Sequence, residues 1–407
     1  MQHSASGHQI PDFFQTIVMD FHMAIQNQTS VALLITKHLF SKEAKDSNCV
    51  FSPLSIHTVM SLISSGSKGS TLIQLLSFLR SNSSQFLASF VSQLADRVLA
   101  DGSNFGGPKL SSATSLFLLN SLSIKPSFKQ VAEYSYRAST TIADFINKPD
   151  EAVSEVNSWV ANETKGLIKE IVQAGSVNEM TKMVIANALY FKGVWSSKFE
   201  VSDTEDGDFH LLEGGVVRVP FMKTKKKQYV SSHDGFKVAR LPYNPGNDER
   251  QFSMYLMLPD DNDGLPRFVQ SISDSHFTLQ NVPQKQVEVG DFRIPRFKVG
   301  YGFEASEMMK EMGVTAAFSN EADLSEMVDS AIEEKLFVSK IFHKGVIEVN
   351  EEGTEAAGAS GVVLEARSLV ISKKIDFVAD HPFLFVVRED DSGVILFVGQ
   401  VLHPQST

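Results

Sequence analysis

The feature of this sequence that most constrains its fold is the segment 351–368, which reads EEGTEAAGASGVVLEARS. Small residues dominate its first half, and an Arg-Ser pair ends it. In a β-strand, alternate side chains face opposite sides. The even positions from Thr354 to Ala366 carry no charge, whereas the odd positions after Gly353 hold every charge. We therefore interpret the segment as a strand that could bury one face in a sheet.

The chain has the organisation expected of one large domain. At 407 residues it is longer than most single domains. However, no long tract rich in Pro, Gly or Ser separates one apolar block from the next, as a linker would. We predict a single domain over residues 26–407, whose first helix follows Thr29. Residues 1–25 are polar apart from a patch at 13–19, and we expect a flexible amino-terminal extension.

The balance of charge is acidic. The chain has 37 Lys and Arg against 48 Asp and Glu, which gives a formal net charge of −11. This balance argues against a nucleic-acid partner, because such partners require a basic surface. No apolar run approaches the length that crosses a bilayer, so we also expect no membrane association.

Cysteine content and the first residues bear on the compartment. Cys49 is the only cysteine, so no intramolecular disulfide can form, and we expect a buried, unreactive thiol. The first basic residue is Lys37, so the residues before it lack the basic start of a secretory signal and the arginines of a transit peptide. We therefore expect an intracellular protein of the cytoplasm or nucleus without a signal peptide.

Sequence patterns typical of enzymes are missing. There is no G-x-S-x-G nucleophile turn, no H-E-x-x-H, no G-x-x-x-x-G-K-[ST] and no pair of cysteine ligands. His343 stands alone among apolar residues, which favours a hydrogen-bonded structural role over that of a base or a ligand. We therefore predict that the protein is not an enzyme and has no catalytic residue, bound metal or cofactor.

Several stretches have the composition and alternation of strands. Residues 183–199 form a long apolar run in which Asn187 is a polar exception that needs partners when it is buried. Residues 294–299 alternate, and residues 376–387 predict another strand. Residues 48–56, which read NCVFSPLSI, predict a short strand followed by a capped helix.

These stretches resemble segments of the serpins, a family of protease-trapping proteins. The similar segments are 48–56, 183–199, 351–368 and the sequence DHPFLFVV at 380–387. They occur in the same order as in the family. Plant serpins look most similar, especially in residues 351–359, which match the segment called the hinge, and in FVADHPF at 377–383. The resemblance implies a mixed α and β fold with a large central sheet, two smaller sheets and about eight to nine helices. It also implies an exposed reactive-centre loop at about residues 351–372.

The resemblance further implies a suicide-type protease inhibitor. In serpins, a protease cleaves the loop, and the hinge then inserts into the central sheet as a new strand. The hinge glycine is normally P15, so Gly353 puts the reactive bond between Arg367 as P1 and Ser368 as P1′. The residues that match the hinge are Glu351, Glu352, Gly353, Thr354, Glu355, Ala356, Ala357, Gly358 and Ala359.

An arginine at P1 indicates the class of target protease. It fits an S1 pocket that holds a carboxylate, as in trypsin-like serine proteases. Arg-specific cysteine proteases, such as metacaspases or papain-like enzymes, also fit, and they are the favoured targets if the protein is cytosolic.

We expect the protein to be a monomer. The alternative is a non-inhibitory serpin that acts as a substrate, carrier or interaction protein, but Thr354, Ala356 and Ser360 are small and uncharged, as insertion requires.

The resemblance also identifies control points in the central sheet. Trp195 matches the tryptophan of the breach. Gly358 and Gly361 depart from the family's preference for residues with a side chain, and each costs roughly 0.5–1 kcal/mol more than Ala when fixed in a strand. Slower insertion of the hinge would favour cleavage of this protein as a substrate over trapping of the protease.

The residues that match the family's sheet-opening polar cluster are Ser52, Ser55, Asn187 and His343.

Overall fold

The computed structural model describes residues 12–273, 282–329, 335–354 and 374–406, with side chains from residue 21 onward. Within these ranges the chain forms eight α-helices, three main β-sheets and a small two-stranded sheet. The predicted reactive bond between Arg367 and Ser368 lies outside the described residues, as do the hinge positions Glu355, Ala356, Ala357, Gly358 and Ala359.

Six of the eight described helices lie in the amino-terminal half of the chain, and the other two lie between strands of the carboxyl-terminal half. They are α1 (Asp12–Ser41), α2 (Pro53–Ser65), α3 (Gly69–Phe78), α4 (Ser84–Arg97), α5 (Pro126–Ser135), α6 (Pro149–Glu163), α7 (Leu265–Ser271) and α8 (Ser306–Glu311).

The first helix is longer than the apolar spacing predicts. It begins at Asp12, so residues 12–25 of the predicted extension continue a regular helix. Ile25 is buried, and the ring of Phe21 lies edge-on to that of Phe90 in α4, with 5.4 Å between the ring centroids. These contacts join residues 21–25, the end of the predicted extension, to the domain, which the polar composition of the segment does not reveal.

The described strands are short apart from three. They are β1 (Cys49–Phe51), β2 (Lys109–Leu119), β3 (Ser123–Ile124), β4 (Ala138–Ala143), β5 (Met183–Val194), β6 (Glu205–His210), β7 (Val216–Lys223), β8 (Gln228–His233), β9 (Phe236–Pro242), β10 (Phe252–Pro259), β11 (Gln286–Val287), β12 (Val289–Pro295), β13 (Phe297–Glu304), β14 (Val328–Asp329), β15 (Lys340–Val349), β16 (Gly353–Thr354), β17 (Ile375–Val378), β18 (Phe383–Glu389) and β19 (Ile395–Val401).

The six-stranded sheet contains the three longest of these strands and is called the central sheet below. Its order is β13–β15–β16–β5–β2–β4, and β15 also pairs directly with β5. β5 has 12 residues, β2 has 11 and β15 has 10. Almost every residue of β5 is buried, which explains why it appears in the sequence as a continuous apolar run rather than an alternating one.

Two further sheets complete the core. A seven-stranded sheet has the order β1–β19–β18–β10–β9–β8–β11, and a four-stranded sheet has the order β17–β12–β7–β6. The seven-stranded sheet has more strands than the central sheet, but none of them exceeds eight residues. An apolar cluster that includes Phe221, Phe292 and Phe385 joins the sheets. A second cluster packs the helices on the central sheet and contains Cys49, whose predicted burial is confirmed.

Two stretches that were each predicted to be a single strand are two strands in the structure. Residues 294–299 include the end of β12 and the start of β13, which belong to different sheets. The break falls at Arg296, whose backbone N–H donates to the carbonyl oxygen of Pro220, 2.9 Å away. Residues 376–387 likewise divide between β17 and β18. The pattern of apolar residues continues where the chain passes from one sheet to the next, so it does not show where one strand ends and the other begins. These predictions of single strands were therefore wrong.

Two further observations concern the described part of the chain. None of its helices combines the length and the apolar character that crossing a membrane requires. It also contains no group of three or more His, Cys, Asp or Glu side chains placed to hold a metal ion.

Candidate functional site

The boundary between β15 and β5, called the seam below, is closed at one end and open at the other. At the closed end, residues 340–345 pair directly with residues 184–189 in parallel. At the open end, Thr354 of β16 lies between the two strands and pairs with Val349 on one side and Gly193 on the other. The described start of the hinge therefore already occupies the place of an additional strand.

The two strands keep one register along the whole seam. His343 lies directly opposite Asn187, and 156 residues separate them in the sequence. Val349 lies across Thr354 from Gly193, and this pair has the same separation. Parting the closed end therefore requires a sideways movement of one strand width, about 4.8 Å, without sliding of one strand along the other.

A tight turn directs the chain into the open end. The side-chain oxygen of Asn350 accepts hydrogen bonds from the backbone N–H of Glu352 at 3.0 Å and of Gly353 at 3.3 Å. Gly353 has φ of +154°, and a Cβ atom at this position would lie 2.1 Å from the carbonyl oxygen of Gly193. Only glycine fits this conformation and this close approach, and Gly353 is the residue predicted as the hinge glycine.

The two acidic residues of this turn are anchored to basic residues. Glu351 is buried and accepts hydrogen bonds from Arg296 at 2.7 Å and from the hydroxyl of Thr204 at 2.5 Å. Burial alone would raise the pKa of Glu351, but these hydrogen bonds outweigh it and hold the pKa below its ordinary value. Glu352 forms an ion pair with Lys198. Ion pairs with Arg296 and Lys198 therefore hold both acidic residues at the base of the hinge.

Beyond the turn, Thr354 contacts an aromatic group that the sequence analysis did not identify. Thr354 is 1% exposed, and its hydroxyl lies 2.6 Å from the hydroxyl of Tyr243. The ring of Tyr243 stacks on Trp195, with 4.5 Å between the centroids. The indole N–H of Trp195 donates to the carbonyl oxygen of Asn350 at 2.9 Å. Trp195, the residue predicted for the breach, thus lies at the open end.

At the closed end, a chain of buried polar groups crosses three strands. Nε2 of His343 accepts from the backbone N–H of Ser52 at 3.0 Å. This assignment leaves the proton on Nδ1, which donates to the side-chain oxygen of Asn187 at 3.0 Å. The amide nitrogen of Asn187 then donates to the hydroxyl of Thr114 in β2 at 2.9 Å. Burial lowers the pKa of His343 to about 3, so the ring is neutral near pH 7.

The four residues predicted for this cluster lie together. Ser52 contacts His343 through its backbone, and its hydroxyl accepts from the backbone N–H of Ser55 at 3.1 Å, where it caps α2. Ser55 therefore contributes through its backbone. Thr114 was missed, because it lies among other hydroxyl residues, Ser111, Ser112 and Ser115, and nothing in the sequence distinguishes it from them. Both buried polar ends of the Asn187 side chain are thereby satisfied.

Comparisons with known proteins agree with this arrangement. A family model described as Serpin (serine protease inhibitor) matches residues 26–404. Serpin-ZX of Arabidopsis thaliana is 52% identical over 389 residues, which cover 95% of this chain and 100% of that protein. Serpin-ZXA of Oryza sativa subsp. japonica is 49% identical over 391 residues, which cover 95% and 98% of the two proteins.

A solved structure extends the agreement to the fold. The native stressed conformation of Arabidopsis AtSerpin1 has a TM-score of 0.88 and 51% identity, with 94% of this chain and 98% of that chain covered. The predicted mixed α and β serpin fold and the resemblance to plant serpins are thereby confirmed. The chain belongs to the serpin family of protease inhibitors.

Proposed function

We propose that this protein irreversibly traps Arg-specific proteases. The catalytic Ser or Cys of the target attacks the carbonyl carbon of Arg367, and the bond to Ser368 breaks. The amine of Ser368 leaves with a proton from the catalytic His of the target, and an ester or thioester to Arg367 remains. The hinge then enters the seam before water hydrolyses this bond.

The observation that carries the proposal is the open end of the seam. Thr354 already pairs with both β15 and β5, and the closed end beyond it keeps the same register. Insertion replaces the single ladder of the closed end with two ladders, because every residue of the incoming strand pairs on both sides. The additional strand pairing stabilises the inserted state and thereby drives insertion. Hydrolysis of the bond to the protease does not by itself add any strand pairing.

The same register predicts where later residues of the loop insert. Continuing the pairing from Thr354 along both strands brings Ser360 between Asn187 and His343. Insertion breaks the direct hydrogen bond between those two side chains, and a hydroxyl at position 360 offers a replacement partner. This matters because a buried polar cluster that is half satisfied is costly.

Complete insertion also accounts for inactivation of the captive protease. About fourteen residues lie between Thr354 and the cleaved bond, and at roughly 3.3 Å each they carry the acylated Arg367 on the order of 50 Å. Displacements of this size far exceed the adjustments seen when proteins simply bind. The tethered protease is therefore pulled against the body of the inhibitor and distorted.

The proposed targets follow from the P1 residue and the proposed compartment. The guanidinium group of Arg367 fits a carboxylate at the base of the S1 pocket. We infer a monomer that acts in the cytoplasm or nucleus, where an Arg-specific cysteine protease of the metacaspase or papain-like type is the favoured target. A trypsin-like serine protease serves as a test enzyme, because it presents the same S1 chemistry.

A second candidate function is a non-inhibitory serpin that is cleaved and released. The observation that favours it is the pair of glycines at 358 and 361. Each glycine loses more conformational freedom than alanine when a strand forms, and slower insertion gives the acyl-enzyme time to hydrolyse. The two functions therefore differ in the outcome of one competition after the same cleavage.

Mixing the protein with trypsin and separating the products on a denaturing gel distinguishes the two functions. A band with the summed mass of both proteins supports trapping, whereas clean cleavage with full protease activity contradicts it. Arg367→Ala should abolish both products at this bond, and Arg367→Lys should retain them. Repeating the experiment with a papain-like cysteine protease tests the second target class, with loss of its activity as the supporting result.

A further inference from the structure

We propose that the hydroxyl of Tyr243 holds Thr354 in the open end of the seam and thereby sets the register of the inserting strand. This inference rests on the proposed trapping function. Tyr243 is a positioning residue, because it acts on the hinge and does not contact the protease. It is separated from Thr354 by 111 residues in sequence, yet the two hydroxyl oxygens lie 2.6 Å apart in a buried environment.

The ring of Tyr243 has little freedom to move. Trp195 stacks on it with an interplanar angle of 20°, and Phe191 packs edge-on with 4.8 Å between the centroids. A Cβ atom at Gly193 would lie 2.6 Å from the ring, so glycine is what allows the ring to lie against β5. Tyr243 is itself fully buried. Its hydroxyl is therefore aimed at one fixed point in the seam, which Thr354 occupies.

The partner of Tyr243 is held equally firmly. Thr354 follows directly after Gly353, whose backbone packs closely against Gly193. Thr354 also pairs with Val349 and Gly193 through the backbone. A shift of the hinge by one residue would place Gly353 or the acidic Glu355 at the Tyr243 hydroxyl, and neither offers a neutral hydroxyl in this buried position. The contact between the two hydroxyls therefore selects one register.

This contact differs from the closed end because insertion does not break it. Thr354 already has strand neighbours on both sides, so the strand lengthens from Thr354 onward while the bond to Tyr243 stays in place. Because the hydrogen bond between Tyr243 and Thr354 is present before and after insertion, it lowers the barrier to insertion only by keeping Thr354, the first inserted residue, ordered. Losing it should let the hinge leave the seam more often and should delay insertion.

Hydrogen–deuterium exchange of the uncleaved protein tests the hold on the hinge directly. Tyr243→Phe should raise the exchange rate of backbone amides in residues 349–354 by about fivefold, as expected from the net value of one buried neutral hydrogen bond. Thr354→Val should have the same effect, and Thr354→Ser should stay at the wild-type rate because it keeps the hydroxyl. Tyr229→Phe, on β8 of the seven-stranded sheet, is the matched control and should change nothing in this segment.

The double variant separates a specific contact from loss of packing. If the two hydroxyls act on each other, Tyr243→Phe combined with Thr354→Val should exchange no faster than either single variant. Multiplied effects, or an unchanged rate in Tyr243→Phe, would overturn the inference. This measurement involves no protease, so its result holds even if trypsin cleaves the wild-type protein without being trapped.

The consequence for inhibition is measured as the number of inhibitor molecules consumed per protease trapped. Tyr243→Phe and Thr354→Val should each raise this number roughly twofold to fivefold, and the double variant should equal the single ones. Thr354→Ser should restore the wild-type value. Faster amide exchange with an unchanged number would contradict the role in insertion, whereas failure of the wild type to trap would contradict the proposed function instead.

Discussion

The two ends of the seam are held together by different kinds of contact. At the closed end, the strands pair directly, and the hydrogen bond between His343 and Asn187 crosses from one to the other. At the open end, Thr354 lies between the strands and contacts Tyr243. In the proposed mechanism, insertion breaks the contacts of the closed end and keeps those of the open end. Stability of the uncleaved state and the start of insertion therefore depend on separate residues.

The largest effect is expected from a charge at the open end. Thr354→Arg would bury a guanidinium group at a site that is 1% exposed, which is strongly unfavourable without a partner. We expect the yield of trapped trypsin to fall roughly hundredfold, while cleavage at Arg367 continues. Denaturing gels and residual protease activity measure both products.

Thr354→Ser is the matched control for this experiment, since it keeps a small polar side chain at the same position. It should trap trypsin as the wild type does. A normal yield of complex from Thr354→Arg would show that insertion does not begin at the open end.

The next largest effect is expected at the closed end. His343→Ala leaves the N–H of Ser52 and the side-chain oxygen of Asn187 without their present partner. The free energy of unfolding of the uncleaved protein should fall by about 2–4 kcal/mol. The loop-cleaved protein should lose less, because its inserted strand has already parted the pair. Denaturant unfolding of both forms measures the difference.

His233→Ala provides the control, since His233 lies on β8 in the seven-stranded sheet. It should affect the cleaved and uncleaved proteins equally. An equal loss of stability in both forms of His343→Ala would contradict the view that the closed end is specific to the uncleaved state.

The pH dependence of stability should also differ between the two ends. The pKa of His343 is lowered by burial from 6.5 to about 3, so its contribution is complete above pH 6.5 and is lost as the pH falls toward 3. The pKa of Glu351 is lowered from 4.5, so its contribution is complete above about pH 4.5 and is lost only below that value.

Thermal unfolding of variants across this pH range checks the two windows. His343→Ala should reduce the slope of stability against pH between 6.5 and 4.5, and Glu351→Gln should change it only at lower pH. An unchanged slope above pH 4.5 in His343→Ala would contradict the assignment of that window to the closed end.

The smallest effect concerns the loop itself. Gly358→Ala removes the entropy cost of fixing a glycine in a strand, which is about 0.5–1 kcal/mol. The fraction of trypsin that ends in a covalent complex should rise roughly twofold to fivefold, because insertion competes better with hydrolysis. The ratio of complex to cleaved inhibitor on a gel measures the change. Gly361→Ala tests the same cost at the other departure from the family pattern, and unchanged ratios in both would remove this explanation.

Much of the candidate site could be predicted because its residues have few alternatives. Gly353 fits a conformation that side chains do not allow, and Asn187 and His343 stand out as polar residues in apolar strands. Tyr243 and Thr114 were not predicted. Aromatic and hydroxyl residues are common in strands, and their contacts join positions 111 and 73 residues away in the sequence. Nothing in a local pattern specifies such partners.

The sequence by itself determined the chemistry that this protein can use. The small, uncharged alternate face after Gly353 and the Arg367-Ser368 pair are visible without coordinates, because side-chain size, charge and alternation are local properties. Only the tertiary structure decided that β15 and β5 share one register, that the seam is open at Thr354 and that Tyr243 lies there. These features depend on pairing between distant segments, whose geometry is set by the packing of the whole core.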